Sequence, residues 1–510
     1  MKKAALLVMI ITILSKFLGF GRDIVLSYVY GASAITDAYL ISQTIPTVIF
    51  SFISAGIATG FIPMYSRILK EQGKLEADRF TSNLSNSLLI LASIVVAFVL
   101  LFAEPVVKLF ASGFDGETLQ LATSFTRISV FGVYFTSLMN IFSGFLRLHN
   151  NYVVPALVGV PLNLVNMGAL ILSTKTNLYV LPIGAVLATA FQLVLIFPFV
   201  HRSRYRHQSI LNPRDDNMRL MVAIALPVIV GTSVNEINVL VNRTLASGIA
   251  VGGISALNYA GRLSGFVQGL FVVSITTVMY PMIAKMAAEG NVRGLKKSIS
   301  EAISIINLLV IPTTIGAMVF SKEIIVLLFG RGAFTPEAID MTANCLFYYS
   351  IGMIAFGLRA ILTRAFYALQ DTKTPMINAS IAVVLNIALN LILSRFLGLG
   401  GLALASSVSA TLSVFLMFAT LRRKIGSFGL QEIGRSLAKI CLTALLMGVV
   451  ALWSFRILKP VYSQNAALLV AIGVGALFFV VLIAFMKIPE VEHMLGALRE
   501  KLGKRLTDEE

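Results

Sequence analysis

Long apolar runs recur along nearly the whole chain, separated by short polar segments. Each run is about 18 to 25 residues long, which is enough to cross roughly 30 Å of hydrocarbon as an α-helix. Soluble domains instead show shorter periodic stripes, and membrane β-barrels show short alternating segments. The pattern therefore predicts an all-α integral membrane protein with about fourteen transmembrane helices, at residues 4–30, 36–64, 82–103, 118–146, 153–173, 178–200, 220–247, 255–284, 300–320, 341–369, 376–396, 402–421, 440–456 and 467–486.

The composition supports this class. Of the 510 residues, 57% are hydrophobic and 13% are charged, whereas about a quarter of the residues of a soluble domain are charged. The chain starts Met1-Lys2-Lys3 and continues into an apolar run without a small-residue cleavage site, so we expect a retained first helix. Cys345 and Cys441 lie in apolar segments, which favours packing over a disulfide or a metal pair.

The formal net charge of +17 would favour a nucleic-acid partner in a soluble protein. Here most lysines and arginines lie in alternate connecting segments, on the side of the membrane where the N-terminus also lies. Cytoplasmic loops carry such an excess, so both termini are predicted to be cytoplasmic. The cytoplasmic excess of lysine and arginine explains the net charge without a nucleic-acid partner.

Several motifs recur after about 219 residues, which indicates an internal duplication. The matched pairs are Phe102–Phe110 with Phe320–Phe329, Pro63 with Pro281, Pro155 with Pro375, and Asn166 with Asn386. Each copy spans six helices, an even number, so both copies enter the membrane in the same sense. We expect two parallel-related six-helix bundles around a central cavity, which is a design suited to alternating access, plus two C-terminal helices.

The duplication divides the chain into five predicted segments. They are an N-lobe with helices 1 to 6 (1–200), a basic cytoplasmic linker (201–219), a C-lobe with helices 7 to 12 (220–424), the two extra helices (425–486) and a cytoplasmic amphipathic tail (487–510).

Seven basic residues lie inside the predicted helices, namely Lys16, Arg22, Arg127, Arg243, Arg262, Arg359 and Arg364. A charge near the bilayer centre costs roughly 3 kcal/mol, so each must face a wet cavity, pair with an acid or reach an interface. Arg127 and Arg243 lie near helix ends and are expected to be interfacial anchors. Packing or interfacial placement is the alternative for Arg359 and Arg364, and interhelical pairing is the alternative for the charges of the first helix.

The remaining cations, Lys16, Arg22, Arg262 and Arg359, outnumber the buried acids, which are Asp23, Asp37 and Glu236. Neighbours on a helix point roughly 100° apart, so Arg22 and Asp23 are not expected to form a simple pair. The core is therefore predicted to be cationic. The arginine fork binds phosphate in bidentate fashion, so a pyrophosphate or similar anion is the natural ligand.

Four neutral polar residues, Asn242, Asn386, Asn390 and Ser406, lie in predicted helices 7, 11 and 12. Amides and hydroxyls in such positions join helices by hydrogen bonds, or they supply oxygen ligands for a cation such as Na⁺. No phosphate-binding loop, nucleophile–base motif or metal-ligand cluster is present, so the chain is not predicted to be an enzyme.

Four segments carry a resemblance to a known family: Ser15-Lys-Phe-Leu-Gly-Phe-Gly-Arg-Asp23, Thr36-Asp-Ala-Tyr39, Ser255-Ala-Leu-Asn-Tyr-Ala-Gly-Arg262 and Phe366-Tyr-Ala-Leu-Gln-Asp-Thr-Lys-Thr-Pro375. They resemble the MurJ (MviN) family of lipid II flippases, within the multidrug/oligosaccharidyl-lipid/polysaccharide exporter superfamily. The resemblance covers the whole chain. It implies a transporter of the bacterial inner membrane that moves undecaprenyl-pyrophosphate-linked disaccharide-pentapeptide to the outer leaflet for peptidoglycan synthesis. The implied partners are lipid II, membrane lipids and the cell-wall synthesis machinery.

The resemblance also implies roles for individual residues. Arg22, Asp23 and Arg262 match the charged cavity positions of the family, and Lys16 stands where an arginine is common. Two polar cavity positions match Asp37 and Ser255. The two helices at 425–486 would form the groove for the prenyl tail. The residues Asn242, Asn386, Asn390 and Ser406 match a sodium site in which amides replace carboxylates here, so Na⁺ and the membrane potential remain alternatives for coupling.

Two further departures concern the cavity. After Pro46, where some members have Asn and a pair of arginines, this chain has Thr47-Val-Ile-Phe-Ser51, and acids found near Arg262 in some members are replaced by Gly261 and Gly265. Alternatives to lipid II transport are a flippase for another polyprenyl-linked oligosaccharide, a cation-coupled drug antiporter and a scaffold protein of the cell wall. A cationic cavity argues against the antiporter but does not separate the lipid-linked glycans.

Overall fold

The computed structural model describes residues 2–427 and 429–486, and the regular structure in this part of the chain is helical. The predicted amphipathic tail lies outside the described residues. The helices are α1 Lys2–Tyr30, α2 Ala34–Glu71, α3 Lys74–Leu101, α4 Ala103–Phe110, α5 Gly116–Ser129, α6 Gly132–Leu148, α7 Val153–Leu157, α8 Gly159–Ser173, α9 Val180–Arg202, α10 Asp216–Ile249, α11 Gly253–Val267, α12 Val273–Ala288, α13 Val292–Val319, α14 Ser321–Phe329, α15 Pro336–Ala368, α16 Lys373–Leu397, α17 Leu399–Ile425, α18 Leu430–Leu458 and α19 Gln464–Phe485.

The membrane class is confirmed by the length and apolarity of these helices. Within the described residues, 11 helices are long and apolar enough to cross a membrane, or up to 13 if each of two bent pairs counts as one span. α1 is 29 residues long and carries five charged residues, and it is not among these spans. Counting α1 as well accounts for the predicted total of about fourteen.

The first compact unit comprises the chain up to Ala256 together with Phe329–Ala338. Its central helix is α2, which packs against α5, α6 and α10. Aromatic side chains fill the place where α2, α3 and α6 meet, and Tyr65 lies 5.6 Å from the Phe145 ring and 5.8 Å from Phe61. Between membrane helices such interdigitated packing, rather than the hydrophobic effect, holds the bundle together.

The second compact unit comprises Leu257–Leu328 and the chain from Ile339 onwards. Its strongest packing joins α16 to α17, α18 to α19 and α13 to α18. Small residues allow α15 and α17 to approach closely, since a Cβ on Gly352 would lie 2.6 Å from the Ser407 hydroxyl. That hydroxyl donates to the Tyr348 carbonyl at 2.7 Å, so packing and hydrogen bonding coincide there.

The boundaries of these two units differ from those of the predicted lobes. The reason is that α10 packs on α2 and therefore belongs to the first unit. The division into 1–200 and 220–424 follows the duplication and stays a prediction. Two turns at matched positions of the predicted copies share a conformation. Asn150 and Gln370 both have left-handed backbone, with φ of 58° and 57°, and the next residue of each copy caps a following turn.

Several predicted helices differ from the structure in their bounds or their continuity. The predicted helix 118–146 is two helices, α5 and α6, bent by 42°, and α10 is bent by 47° near Gly231. The predicted helix 255–284 contains a π-helical turn, Gln268–Val272. α2 runs to Glu71, seven residues beyond its predicted end. Periodicity reports apolar length but does not show where a helix breaks, because these breaks depend on packing against neighbours.

The predicted linker is held firmly to α3. Asn83 donates to the Asn212 carbonyl at 2.8 Å and accepts from its N–H at 2.7 Å. Asn86 donates to the Ile210 carbonyl at 2.8 Å, and Ser82 bonds to the Tyr205 hydroxyl at 2.8 Å. These contacts order the basic segment, which the sequence presented only as a connection.

Candidate functional site

The charges of α1 pair with each other. Arg22 donates to Asp23 Oδ1 from Nη2 at 2.8 Å and from Nε at 3.2 Å. The expectation that these neighbours would not pair is wrong, because the long arginine side chain bends back to a residue that points elsewhere. The Asp23 side chain is 4% exposed and that of Arg22 22%, so the acid is buried while the arginine is partly exposed.

α1 lies against α8 at the same level. Asn163 donates to the Ser15 carbonyl at 3.3 Å, and its side chain lies 3.6 Å from the position of a Cβ on Gly19. Lys16, next to Ser15, is exposed. α1 therefore contacts α8 near Gly19, between Lys16 and Asp23. Because Lys16 and Asp23 both lie on α1, one helix positions both charges.

A second pair links α2 to the start of α11. Asp37 Oδ1 accepts hydrogen bonds from the Ser255 backbone N–H at 2.7 Å and from the Ser255 hydroxyl. The N–H of Gly252 also bonds to this carboxyl group. The first N–H groups of a helix lack partners inside it, and the helix dipole favours a negative charge beside them. Asp37, only 1% exposed, therefore caps α11.

Arg243 takes part in the same arrangement. Its Nη1 donates to the Ile254 carbonyl at 3.2 Å, and its charge interacts with Asp37. The Arg243 guanidinium thus contacts the α11 cap, and the expectation that Arg243 is an interfacial anchor stays a prediction. The sequence shows Arg243 as a cation inside a predicted helix, where a charge needs a partner, but it does not show that the partner is Asp37.

Three loops meet beside this cap. Ala333 donates its N–H to the Tyr28 carbonyl at 2.9 Å, which joins the loop before α15 to the end of α1. A Cβ on Gly332 would overlap the Tyr28 carbonyl oxygen, and a Cβ on Gly252 would overlap that of Ala32. Both glycines have positive φ, 65° and 77°, which other residues rarely adopt. The backbones therefore close tightly over this end of the first unit.

The remaining predicted cations, Arg262 and Arg359, belong to the second unit. Arg262 is exposed on α11, six residues before the π-helical turn. Arg359 is half-buried on α15, and its guanidinium lies 5.8 Å from the centre of the Phe356 ring. An aromatic face next to a guanidinium stabilises the cation without neutralising it.

The second unit also contains an apolar cavity of about 580 Å³. Its walls come from α11, the π-helical turn, α13, α18 and α19, and include Leu263, Phe271, Leu309, Pro312, Thr313, Gly316, Met447, Ala451, Gly475, Phe479 and Ile483. Thr313 apart, none of these residues has a polar side chain. A cavity with such walls takes a hydrocarbon chain rather than a charged group.

Three of the four predicted sodium-site residues form a hydrogen-bonded cluster in the second unit. Asn386 donates to Ser406 at 3.3 Å and to Ser409 at 3.1 Å, and Asn390 donates to Asn386 Oδ1 at 3.0 Å. Asn242 belongs to the first unit. The cluster joins α16 to α17, which is the helix-linking alternative. Among the described residues, no group of three or more His, Cys, Asp or Glu side chains could hold a metal ion.

The turn between α15 and α16 holds a surface ion pair. Asp371 accepts from Lys424 Nζ at 2.8 Å, from the Thr374 N–H at 3.0 Å and from the Thr374 hydroxyl at 2.7 Å. These bonds, that of Lys424 first, lower the pKa of the Asp371 carboxyl to about 2. This turn is part of the motif at 366–375, and it ties the start of α16 to the end of α17.

The chain was compared with known proteins. The family profile described as "Lipid II flippase MurJ" matches residues 26–473. A "Probable lipid II flippase MurJ" of Buchnera aphidicola subsp. Baizongia pistaciae is 31% identical over 430 residues, which cover 82% of this chain and 83% of the relative. A protein of the same description from Thermotoga maritima is 29% identical over 490 residues, covering 95% and 96%.

Solved structures agree with these matches. "Lipid II flippase MurJ, inward closed conformation" superposes with a TM-score of 0.83 at 25% identity, covering 94% of this chain and 98% of that one. An inward-facing multidrug resistance MATE family transporter superposes with a TM-score of 0.69 at 16% identity, covering 82% and 98%. The second likeness shows the shared transporter fold alone.

Proposed function

This chain belongs to the MurJ family of lipid II flippases, and from that premise we propose that it moves lipid II from the cytoplasmic to the outer leaflet of the bacterial inner membrane by alternating access. The cargo is an undecaprenyl-pyrophosphate carrying a disaccharide-pentapeptide. The protein is a transporter, not an enzyme. The excess of lysine and arginine in one set of connecting segments supports a topology with both termini in the cytoplasm.

One observation carries the proposal, and it is the apolar cavity of about 580 Å³. Two of its walls are α18 and α19, which lie outside the duplicated twelve helices. A transporter of small drugs or ions does not need an apolar cavity for a hydrocarbon chain. A lipid-linked substrate needs such a cavity, because its prenyl tail must stay in an apolar environment while the head group crosses.

The head group requires cations. Arg22 is a partly exposed cation, and its two hydrogen bonds to Asp23 fix the orientation of its guanidinium. In the proposal Arg22, Arg262 and Lys16 hold the pyrophosphate, and Arg359 adds positive charge. Arginine binds phosphate oxygens in pairs, so an ordered guanidinium loses little entropy on binding.

The cap of α11 supplies the closure step. Its hydrogen bonds from Ser255 to Asp37, with the nearby Ala333–Tyr28 bond, close one end of the first unit. By the predicted topology this is the external end. Release of the head group outward requires these bonds to break, and their re-formation returns the protein to the state that accepts cargo from the cytoplasm.

The reset step needs energy. We assign it to the membrane potential acting on the cationic site, since a charge moving through 100 mV gains about 2.3 kcal/mol. Na⁺ binding at Asn242, Asn386, Asn390 and Ser406 is the alternative. The hydrogen bonds among Asn386, Asn390 and Ser406 support the first choice, because Na⁺ would have to displace them.

A complementation experiment tests the function. The gene is expressed in a bacterium depleted of its own flippase, and lipid II exposed on the outer leaflet is measured. Restored growth with restored exposure is the expected result. Growth without lipid II exposure, or exposure only of another polyprenyl-linked glycan, would assign a different cargo.

A further inference from the structure

The first unit contains a polar cavity that none of the steps above uses. Its volume is about 260 Å³, and its walls are α2, α5, α6 and α9. Two irregularities open the space: Pro46 lies inside α2, and α5 and α6 meet at a bend of 42° between Ser129 and Gly132. Thr47, at the mouth, is exposed. The cavity therefore communicates with the outside of the bundle at the kinked part of α2.

The cavity walls carry hydroxyl and amide groups but no charged side chain. Thr136 donates its proton to the Gly132 carbonyl at 3.0 Å, and Thr189 donates to the Val186 carbonyl at 2.7 Å. Thr47 likewise donates to the Gln43 carbonyl at 2.7 Å. Each hydroxyl has one proton and two lone pairs, so these oxygens remain available only as acceptors. The walls suit a ligand rich in uncharged donors.

The other polar groups at the wall also use donors within the protein. Gln43 donates to the Ser129 hydroxyl at 2.9 Å, and Asn140 donates to the Ser54 hydroxyl at 2.8 Å. Each amide thereby uses one of its two N–H donors within the protein. The carboxyl group of Glu236 bonds to Ser51, a further wall residue, which places one more acceptor at the edge of the cavity. Hydroxyl and amide N–H donors of a ligand would find partners here, whereas the cavity walls offer a phosphate no cationic side chain.

The volume of the cavity limits which part of a ligand can bind there. Sites that bury a drug-sized molecule measure about 300–1,000 Å³, so a slightly smaller cavity accommodates one ring of a larger ligand. Thr47 and Ser51 have small, neutral side chains, so neither fills the space.

We propose that this cavity binds one sugar ring of the disaccharide in the lipid-linked head group, while the cations hold the pyrophosphate. The inference rests on the proposed function. It assigns recognition of the sugar to uncharged side chains. Thr136 and Thr189 are its specificity-determining residues. The sugar hydroxyls donate to their oxygens, which an unglycosylated lipid pyrophosphate cannot do.

The test uses the purified full-length protein with two probes, lipid II and undecaprenyl pyrophosphate. In the double variant Thr136→Val, Thr189→Val, each oxygen is replaced by a methyl group of similar shape. Loss of two uncharged hydrogen bonds should weaken lipid II binding about tenfold and leave undecaprenyl pyrophosphate binding unchanged. Thr44→Val is the matched control, because Thr44 is on the same α2 helix, donates to the Leu40 carbonyl and does not line the cavity.

Serine variants guard against misfolding. Thr136→Ser with Thr189→Ser keeps both oxygens, so lipid II affinity should stay within twofold of the wild type. Equal affinity of the valine variant and the wild type for lipid II would show that the cavity holds only water, and this would overturn the inference alone. Equal weakening for both probes would overturn it too. A wild type that binds undecaprenyl pyrophosphate but not lipid II would overturn the proposed function as well.

Discussion

Asp37 on α2 accepts two hydrogen bonds from Ser255, the third residue of α11. The two positions are 218 residues apart, close to the spacing of the duplication, so one copy caps a helix of the other. The same carboxyl group interacts with Arg243, and Arg243 in turn bonds to the Ile254 carbonyl. One buried acid thus joins the start of α2, the end of α10 and the start of α11.

Removing this cap should destabilise the closed end. Substituting an N-cap acid by alanine costs about 1 kcal/mol, and the half-buried Arg243 loses a partner as well. We expect Asp37→Ala to lower the melting temperature in detergent and to reduce lipid II exposure strongly. Asp37→Asn keeps an acceptor oxygen and should lie between the alanine variant and the wild type. Equal melting and transport in all three proteins would remove Asp37 from the closure step.

The Arg22–Asp23 pair gives a second prediction. Arg22→Gln leaves Asp23, 3% exposed, without its strongest donor, and breaking a buried pair from one side costs about 3–5 kcal/mol when both partners are fully buried. Arg22 is partly exposed, so we expect about 2 kcal/mol and loss of lipid II binding. The control is Arg67→Gln in the exposed Arg67–Glu71 pair, which should change stability by less than about 1 kcal/mol. A variant Arg22→Gln that binds lipid II normally would contradict the assignment.

Asp371 predicts a dependence on pH. Hydrogen bonds from Lys424 and Thr374 lower its pKa to about 2 in the folded protein, below the ordinary value of 3.8. A lowered pKa stabilises the fold above pH 4, and this contribution disappears as the pH falls from about 4 through about 2. Because Lys424 is 41% exposed, we expect only about 1 kcal/mol.

The measurement compares the wild type with Asp371→Asn by thermal unfolding between pH 2 and pH 7. The melting temperatures should differ by a constant amount above pH 5 and converge towards pH 2. The matched control is Glu104→Gln, which removes one acid of an exposed pair with Lys108. A difference between wild type and Asp371→Asn that persists unchanged to pH 2 would contradict the explanation.

The apolar cavity predicts a selective block. Nothing lies within 4 Å of a Cβ at Gly316, so Gly316→Phe can place its ring in the cavity without displacing neighbours. We expect lipid II binding to fall at least tenfold with little change in melting temperature. Gly473→Phe is the control, since Gly473 also has open space but does not line the cavity. Equal effects of the two substitutions on binding would argue against a tail groove.

Much of the fold could be predicted from the sequence because apolar length sets each span. The repeated Phe102–Phe110 and Phe320–Phe329 motifs correspond to α4 and α14, two short helices that apolar length alone did not separate from their neighbours. The bend between α5 and α6 and the π-helical turn before α12 were not predicted. Both depend on which helix packs alongside, and a single sequence does not contain that information.

The candidate site was predictable in its residues but not in its contacts. The cost of buried charge singled out Arg22, Arg262 and Asp37, since each needs a partner or a ligand. The partner of such a charge can lie in a distant segment of the chain, or it can be reached only when a flexible side chain bends. Ser255 reaches Asp37 only because the fold brings α11 to α2, and Arg22 reaches Asp23 only because its side chain bends.

The central claim is that the cationic site moves lipid II across the membrane. Its most direct measurement is lipid II exposure on the outer leaflet of flippase-depleted cells that express the wild type, Arg22→Gln or Arg262→Gln at equal levels. The account predicts full exposure with the wild type and near-background exposure with either variant. Wild-type exposure in cells with either glutamine variant would contradict it.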